Sequence, residues 1–383
     1  MPYQWDLSRL NTVPELFPAP GFEQPGLRAL FYEGEPWHGR PTRVFAWYGA
    51  PSVPAATPCP AMVLVHGGGG SAFAEWVNLW NSRGYAAIAM DLNGLVPVGE
   101  YNKWQRHEWG GPAGISAADP GPFHELGEPL PEQWYHHAVA AVIRAHSLLR
   151  SMPGVDPDRI GITGISWGGY LTCITAGIDP RFRFAVPVYG CGFVSESPAW
   201  RDAFKALAPA GIERWNDLWD PKQYLPKAKL PMLWVTGTND FAYLLPLLQK
   251  SYRLAPGPRT LCVRVRMPHG HGGAGENPEE IHVFANAILR HEAPLPKIAA
   301  ATFDGTTCAA TYEASVPLVR AELTFTRSRD PEWPAREWET APATLDAAAH
   351  RVTALVPADA SAFYLNLFDA RDCCVSTEHV ARP

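Results

Sequence analysis

The chain has 383 residues, of which 46% are hydrophobic and 18% are charged, so it can bury the core of one large domain with a smaller one beside it. This length excludes a disulfide-stapled mini-protein, and no run approaches the ~18 consecutive apolar residues that a membrane-spanning helix needs. A net charge of −6 provides no basic field for phosphate backbones, which disfavours general nucleic-acid binding.

The cysteines and the first residues bear on the cellular compartment. Seven cysteines, an odd number without Cys-x-x-Cys spacing, argue against a disulfide framework and a zinc site. We therefore expect reduced thiols, no metal and no cofactor. Residues 1–20 contain no apolar segment typical of a secretory signal. We expect a cytoplasmic protein, or a secreted one if a signal has been removed.

In chain order, residues 1–40 are expected to form an N-terminal extension, and the core strands follow. Short apolar segments alternate with helical patterns, of which Glu132–Ser151 is the clearest because its apolar residues recur at three- and four-residue steps. This alternation predicts an α/β fold with a mostly parallel central sheet flanked by helices. The predicted strands are Arg43–Tyr48, Ala61–His66, Tyr85–Met90, Arg159–Thr163, Phe184–Tyr189, Met232–Thr236 and Thr260–Met267.

Two connections are too long to be simple loops. Residues 93–131 and 191–229 are predicted to be insertions with a functional role, because long loops inside compact domains usually have one. After residue 294 the pattern changes to alternating strands with polar turns and no convincing helix. We therefore predict an α/β domain at residues 41–296 and a small all-β C-terminal domain at residues 297–383.

A run of four glycines, Gly67–Gly70, follows the second predicted strand. Backbone N–H groups in such a turn can stabilise an oxyanion because no side chain blocks their approach. A phosphate cradle is the competing interpretation, but the Gly-Lys-Ser/Thr sequence of phosphate-binding loops does not follow. We predict an oxyanion hole formed by the N–H groups of Gly68 and Gly69 together with that of Trp167.

The sequence Gly-Ile-Ser-Trp-Gly at residues 164–168 lies between a predicted strand and an apolar helical pattern. A strand, Gly-x-Ser-x-Gly and a helix in this order are typical of a nucleophile elbow, a sharp turn that presents the serine hydroxyl at the carboxyl edge of the sheet. The alternative is a glycine-rich packing turn. We predict that Ser166 is a nucleophile.

A serine nucleophile needs a base that is oriented by an acid. We predict Asp240, which follows the strand Met232–Thr236, as the acid that orients the base; its alternative role is to cap the next helix. Two histidines follow the last core strand. We predict His271 as the base because glycines flank it on both sides, with His269 as the second candidate and otherwise a substrate contact. A metal site of the two histidines lacks a recognisable third ligand.

Several other polar and aromatic residues have structural interpretations. His66 is expected to be a buried hydrogen-bonding residue, and Asp91, which follows a predicted strand, to fix its own loop. The insertions are rich in tryptophan, for which core or lid packing is the default. Substrate stacking is the alternative, for which we name Trp104, Trp109 and Trp200.

With Ser166, Asp240 and His271 in this order, the glycine run at residues 66–70 and the elbow at residues 164–169, residues 40–292 resemble the α/β-hydrolase superfamily. The branch of acetyl xylan esterases, dienelactone hydrolases and prolyl-oligopeptidase-like enzymes is resembled in three regions: the segment His66–Trp76, the long insertion after Asp91 and the extended N-terminal part. The resemblance implies the α/β-hydrolase fold. Dienelactone hydrolases of this branch use cysteine, so the serine favours an esterase or deacetylase.

The motifs and the resemblance together predict a serine carboxylic-ester hydrolase acting through an acyl-enzyme. The expected substrate is a small molecule or a carbohydrate ester with a short acyl group such as acetyl, without a nucleic-acid or membrane partner. The first alternative is a peptidase of the prolyl-oligopeptidase type, and another is an inactive binding protein with the same fold. Acyl transfer to an acceptor other than water and the oligomeric state stay open.

Overall fold

The computed structural model describes residues 3–51, 57–114 and 121–382. Up to residue 296, the seven strands predicted from short apolar segments are present. Two further strands lie before residue 40, and a two-stranded hairpin lies inside the first insertion. Together, these strands are β1 (Leu16–Gln24), β2 (Leu27–Glu33), β3 (Arg43–Gly49), β4 (Cys59–Val65), β5 (Ala86–Met90), β6 (Leu95–Glu100), β7 (Lys103–Arg106), β8 (Val155–Ile165), β9 (Ala185–Val188), β10 (Met232–Gly237) and β11 (Arg259–Arg264).

Helices connect most of the strands and occupy the second insertion. They are α1 (Leu7–Leu10), α2 (Ala74–Ser82), α3 (Trp134–Ser151), α4 (Trp167–Ile178), α5 (Arg201–Lys205), α6 (Pro209–Leu218), α7 (Leu245–Leu254), α8 (Gly273–Glu276) and α9 (Glu279–Arg290). Short 3-10 turns lie at Gly121–Gly127, Leu130–Glu132, Val194–Glu196, Pro198–Trp200, Pro221–Gln223, Leu225–Lys227 and Trp333–Ala335. In the described residues, no helix is long and apolar enough to cross a membrane.

The central sheet has the strand order β1-β2-β3-β5-β4-β8-β9-β10-β11. Pairing is parallel from β5 through β11 and antiparallel among β1, β2, β3 and β5. Every residue of β5 is buried, and so are all but the first of β4, because helices cover both faces of the parallel part. The predicted mostly parallel sheet is confirmed.

The parallel strands end at one edge of the sheet, where ligands of such folds usually bind. The chain turns away from β4 to β5 on one side and from β8 to β9 on the other, so a crevice opens between the ends of β4 and β8. The glycine run follows β4 and the elbow follows β8, which brings the two motifs together at this crevice.

Residues 297–382 form antiparallel strands arranged in small sheets. The boundaries of this predicted domain stay a prediction. The strands are β12 (Lys297–Ile298), β13 (Thr302–Phe303), β14 (Thr307–Glu313), β15 (Leu318–Thr326), β16 (Glu339–Pro342), β17 (Thr344–Asp346), β18 (Arg351–Leu355), β19 (Ala362–Asp369), β20 (Cys374–Ser376) and β21 (Val380–Ala381).

The C-terminal strands cover the open edge of the central sheet at β11. Val263 in β11 donates its N–H to the Ser376 hydroxyl at 2.9 Å, and its carbonyl accepts from the Tyr364 hydroxyl and the Asn366 amide, each at 3.2 Å. These side chains satisfy backbone groups that an uncovered edge would leave for another strand. The β-rich part therefore protects the strand that leads into the histidine loop.

Candidate active site

Ser166 occupies a strained turn between β8 and α4. Its backbone has φ 57° and ψ −116°, a conformation that non-glycine residues rarely adopt, and its N–H donates to the Val188 carbonyl at 2.9 Å. The flanking glycines allow this turn. A Cβ on Gly164 would lie 2.3 Å from the Gly168 carbonyl oxygen, and one on Gly168 would lie 2.0 Å from that of Val65. The strand, serine and helix have the geometry of a nucleophile elbow.

Asp240 follows β10, and its carboxylate is fully engaged. One oxygen accepts the backbone N–H groups of Ala242 at 2.9 Å and Tyr243 at 2.7 Å. The other lies 2.6 Å from Nδ1 of His269. Because an ionised carboxylate only accepts hydrogen bonds, Nδ1 of His269 is the donor. This tautomer leaves the lone pair of the His269 ring on Nε2, where a general base needs it.

The prediction that Asp240 orients His271 is wrong, because the structure pairs Asp240 with His269. Nδ1 of His271 instead lies 2.9 Å from Oε1 of Glu276, and its Nε2 accepts the N–H of Gly67 at 3.0 Å. Both ring nitrogens of His271 are therefore occupied within the protein. The described residues offer no hydrogen bond to Nε2 of His269, so this ring is the one available to accept a proton.

Aromatic rings hold the His269 imidazole in place. The Tyr189 ring stacks on it with centroids 4.6 Å apart, and Phe241 lies at 4.8 Å on a tilted plane. The Tyr189 hydroxyl donates to the Pro268 carbonyl at 2.8 Å, which ties the histidine loop to β9. Burial, with the nearby Asp240 carboxylate, raises the pKa of Tyr189, so this ring stays neutral.

The glycine run forms a tight turn whose carbonyls are held by the β6–β7 hairpin. The Tyr101 hydroxyl donates to the Gly68 carbonyl at 2.7 Å, and the Gly69 carbonyl accepts from the Asn102 N–H at 3.1 Å and Trp104 Nε1 at 2.9 Å. In the described part of the chain, the N–H groups of Gly68 and Gly69 have no partner. Tyr101 and Asn102 were not predicted from the sequence, since nothing in the insertion marked a hairpin turning over the glycines.

Trp167 is the first residue of α4, where a helix leaves its N–H groups without intrahelical partners. Its N–H is thus available beside Ser166, and the helix end adds a partial positive charge. The assignment of Gly68, Gly69 and Trp167 to an oxyanion hole stays a proposal.

A cavity of about 320 Å³ joins these parts, and both Ser166 and His269 line it. Tyr101 and Phe241 stand at its rim with exposed fractions of 50% and 56%. The remaining lining is largely apolar, which suits the acyl or ring part of a small substrate. The other lining residues are Gly67, Gly68, Asn102, Ile165, Trp167, Trp200, Gly270 and His271.

Of the tryptophans predicted to bind substrate, Trp200 lines the cavity and packs edge-on against Trp167 at 4.9 Å. Trp104 and Trp109 are not part of its lining. The Trp104 indole donates a hydrogen bond to the glycine loop, and the Trp109 ring packs against the Arg43 guanidinium, which lies 4.3 Å from the ring centroid. Substrate contact remains a prediction for Trp200, and for His269 the contact with Asp240 indicates another role.

His66 and Asp91 support the glycine loop and the loop after β5 through buried hydrogen bonds. His66 donates from Nδ1 to the Gly67 carbonyl at 2.7 Å and accepts the Leu92 N–H at 3.0 Å, and burial lowers its pKa to about 3. It is a buried neutral hydrogen-bonding residue, as predicted. Asp91 accepts the N–H groups of Asn93 and Leu95 at 2.8 and 2.7 Å, which confirms the loop-fixing role.

The acid loop is also attached to the 3-10 turn Trp333–Ala335 of the C-terminal part. Nδ2 of Asn239, the residue before Asp240, donates to the carbonyls of Pro334 at 2.8 Å and Arg336 at 2.7 Å. Nothing in the sequence indicates this contact, because its partners lie almost a hundred residues further along the chain. Two hydrogen bonds from one amide fix the loop that carries the carboxylate.

The described residues contain no group of three or more histidine, cysteine, aspartate or glutamate side chains that could hold a metal ion. All seven cysteines are unpaired, as predicted from their spacing.

Two family models match parts of this chain. The family model "Acetyl xylan esterase (AXE1)" matches residues 29–197, and that of the prolyl oligopeptidase family matches residues 124–284.

Similar solved structures include an acetyl xylan esterase from Paenibacillus sp. R4, with a TM-score of 0.59, 20% identity and coverage of 74% of this chain and 92% of that one. Acetyl xylan esterase 1 from Thermoanaerobacterium sp. JW/SL YS485 has a TM-score of 0.54, 18% identity and coverage of 71% and 90%. An acylaminoacyl peptidase bound to a chloromethyl ketone has a TM-score of 0.52, 18% identity and coverage of 70% and 43%. The chain has the α/β-hydrolase fold, and its predicted resemblance to these hydrolases is confirmed.

Proposed function

We propose that this α/β-hydrolase is a serine esterase that removes short acyl groups, acetyl in the first place, from carbohydrate esters. The observation that carries the proposal is the shared cavity: Ser166 on its strained elbow and His269, held by Asp240, line the same small pocket. The match to the acetyl xylan esterase family and the two similar esterase structures support the substrate class.

The mechanism follows from these positions. The Ser166 oxygen bonds to the ester carbonyl carbon while Nε2 of His269 takes the proton of the Ser166 hydroxyl. Asp240 stabilises the imidazolium that forms. The negative charge on the former carbonyl oxygen is met by the N–H groups of Gly68, Gly69 and Trp167. The intermediate collapses, the alcohol leaves with the proton from His269, and the acyl group stays on Ser166.

Deacylation repeats the sequence with water. His269 takes a proton from the water whose oxygen attacks the acyl carbon, and the tetrahedral intermediate expels the Ser166 oxygen, which regains the proton. The carboxylic acid then leaves. An alcohol in place of that water would receive the acyl group, so the same residues also serve acyl transfer.

The shape of the pocket favours a short acyl group. Its volume of about 320 Å³ lies near the lower limit for small-molecule sites, so an acetyl group and part of one sugar ring fill it. Tyr101 and Phe241 at the rim offer exposed ring faces against which a pyranose can stack. Their exposure distinguishes them from the tryptophans, most of which are packed into the protein.

Two alternatives compete with this function. A prolyl-oligopeptidase-like peptidase is supported by the match at residues 124–284 and by the similar acylaminoacyl peptidase, although this chain covers only 43% of that protein. A non-catalytic binding protein would keep the fold without a reactive serine.

Unpaired cysteines favour a reducing compartment, in accord with the cytoplasmic expectation.

The test is a side-by-side assay of p-nitrophenyl acetate, acetylated xylan and a Pro-p-nitroanilide with the wild type and the Ser166→Ala variant. We expect hydrolysis of both esters, little of the anilide, and a loss of about 10³-fold or more in the variant, whose fold is retained. Preference for the anilide would favour the peptidase. Full ester hydrolysis by Ser166→Ala would overturn the serine mechanism.

A further inference from the structure

A second imidazole–carboxylate pair lies beside the first and has no part in the mechanism above. His271 contacts Glu276 at 2.9 Å, and both side chains are largely buried, with exposed fractions of 12% and 9%. Glu276 ends the short helix α8, and its N–H bonds the Gly272 carbonyl at 2.8 Å. The pair is thus built into the loop after β11, separate from the contact between Asp240 and His269.

The protonation pattern of His271 follows from its neighbours. The Gly67 N–H points at Nε2 at 3.0 Å, so Nε2 carries a lone pair and no proton. The ring proton is then on Nδ1, where it is donated to the Glu276 carboxylate. Glu276 therefore fixes the tautomer in which His271 is a hydrogen-bond acceptor toward the glycine loop.

Gly67 is the residue through which this contact reaches the reaction centre. A Cβ on Gly67 would lie 2.9 Å from the Ile165 carbonyl oxygen and 3.2 Å from Cβ of Ser166, so its backbone lies directly against the elbow. The next peptide carries the N–H of Gly68. Because the two peptides are adjacent, holding the Gly67 peptide in place also orients the N–H groups that are assigned to the oxyanion hole.

The His271 ring is packed as well as hydrogen-bonded. Phe73 lies at 4.4 Å and Trp76 at 6.0 Å from its centroid, both from the region that begins α2. The hairpin residue Tyr101 lies at 6.5 Å on another side and holds the Gly68 carbonyl. His271 binds the loop through an N–H and Tyr101 binds it through a carbonyl, so the loop is held from two elements.

We propose that His271, oriented by Glu276, is a positioning residue that aims the N–H groups of Gly68 and Gly69 at the oxyanion formed on Ser166. This inference rests on the proposed function, in which those groups stabilise the charge. His271 acts through Gly67 and takes no proton from the serine. Its contribution belongs to the transition state, so its loss lowers kcat more than it raises KM.

The test compares His271→Gln with His271→Leu. Both side chains are close in size to each other, but only glutamine keeps an acceptor for the Gly67 N–H. We expect His271→Leu to lower kcat for p-nitrophenyl acetate by ~10- to 100-fold with little change in KM, and His271→Gln to recover most of that loss. Binding of a trifluoromethyl ketone, whose adduct carries the oxyanion, should weaken in His271→Leu by a factor similar to the loss in kcat.

Three results would overturn the inference. Loss of activity in both His271 variants as complete as in Ser166→Ala would make His271 the base. If a folded His271→Leu kept the wild-type kcat and ketone affinity, His271 would have no positioning role. If both variants were equally defective, the hydrogen bond that His271 accepts from the Gly67 N–H would not be the cause. Full activity of Ser166→Ala would overturn the proposed function instead, so the two failures are distinguishable.

Discussion

Asp91, behind the glycine loop, makes folding stability depend on pH in a direction opposite to that of most carboxylates. It is 2% exposed, and burial raises its pKa to about 7 although Leu95 and Asn93 donate N–H groups to it. An unfolded aspartate titrates near ~3.9. Between these two values the folded protein binds a proton that the unfolded chain does not. Stability from this group is therefore full below pH ~4 and is lost as pH rises through about 7.

The magnitude follows from the shift. A difference of roughly three pKa units corresponds to about 4 kcal/mol of unfolding free energy, an upper value for a single buried group. Asp91→Asn keeps a carbonyl that accepts the two N–H groups and cannot ionise. We expect the difference in unfolding free energy between the variant and the wild type to grow by about 3 kcal/mol in favour of the variant from pH 5 to pH 8.5, because about two pH units of that range lie below the folded pKa.

Urea unfolding of both proteins at the two pH values measures this difference directly. Other titrating groups change both proteins alike, so the difference between them isolates Asp91. If the difference in unfolding free energy between the two proteins were the same at pH 5 and at pH 8.5, Asp91 would be ionised in the folded protein at both pH values, and the reasoning would be refuted.

Three further substitutions test separate contacts. Tyr101→Phe removes the donor to the Gly68 carbonyl, and we expect kcat for p-nitrophenyl acetate to fall by about 3- to 10-fold at constant KM; a change in KM alone would contradict this. Asn239→Ala removes both bonds to the turn around Pro334 in the C-terminal part and should lower the unfolding free energy by roughly 1–3 kcal/mol with a loss of kcat, whereas an unchanged variant would show that the acid loop needs no support from that turn. Phe241→Ala should raise KM for acetylated xylan by about 2- to 10-fold and leave KM for p-nitrophenyl acetate almost unchanged, whereas a loss of kcat through the His269 contact is shared by both substrates; an equal rise in KM for both would exclude sugar stacking.

The elbow and the glycine loop were predictable because their constraints are local. Gly164 and Gly168 have no room for a side chain, and Ser166 must lie between a strand and a helix, so a few adjacent residues record the geometry. The core strands were predictable for a similar reason, since the parallel sheet is buried on both faces and its strands are continuous apolar runs.

The choice between the two histidines could not be made from adjacent residues. His269 and His271 follow the same strand, and which of them meets Asp240 depends on the path of the loop in space. Glycines beside His271 indicated freedom of approach, but they said nothing about which carboxylate would be near. The partner of His271, Glu276, lies on a one-turn helix without a pattern of its own.

The N-terminal strands were missed because their sequence does not follow a strand pattern. β1 contains Pro18, Pro20 and Gly21, which argue against a central strand. β1 lies at the edge of the sheet, where a proline that faces away from the neighbouring strand removes no hydrogen bond between strands. β2 lies between β1 and β3 and pairs antiparallel with both. Much of the predicted extension is therefore part of the central sheet.

The most direct test of the central claim is peptide mapping of the protein after reaction with a fluorophosphonate, which is attacked only by an activated serine. We predict a single adduct on the peptide that contains Ser166, formed at least ~10³-fold more slowly in His269→Ala. An unlabelled Ser166, or labelling of Ser166 at the full rate without the His269 imidazole, would contradict the account.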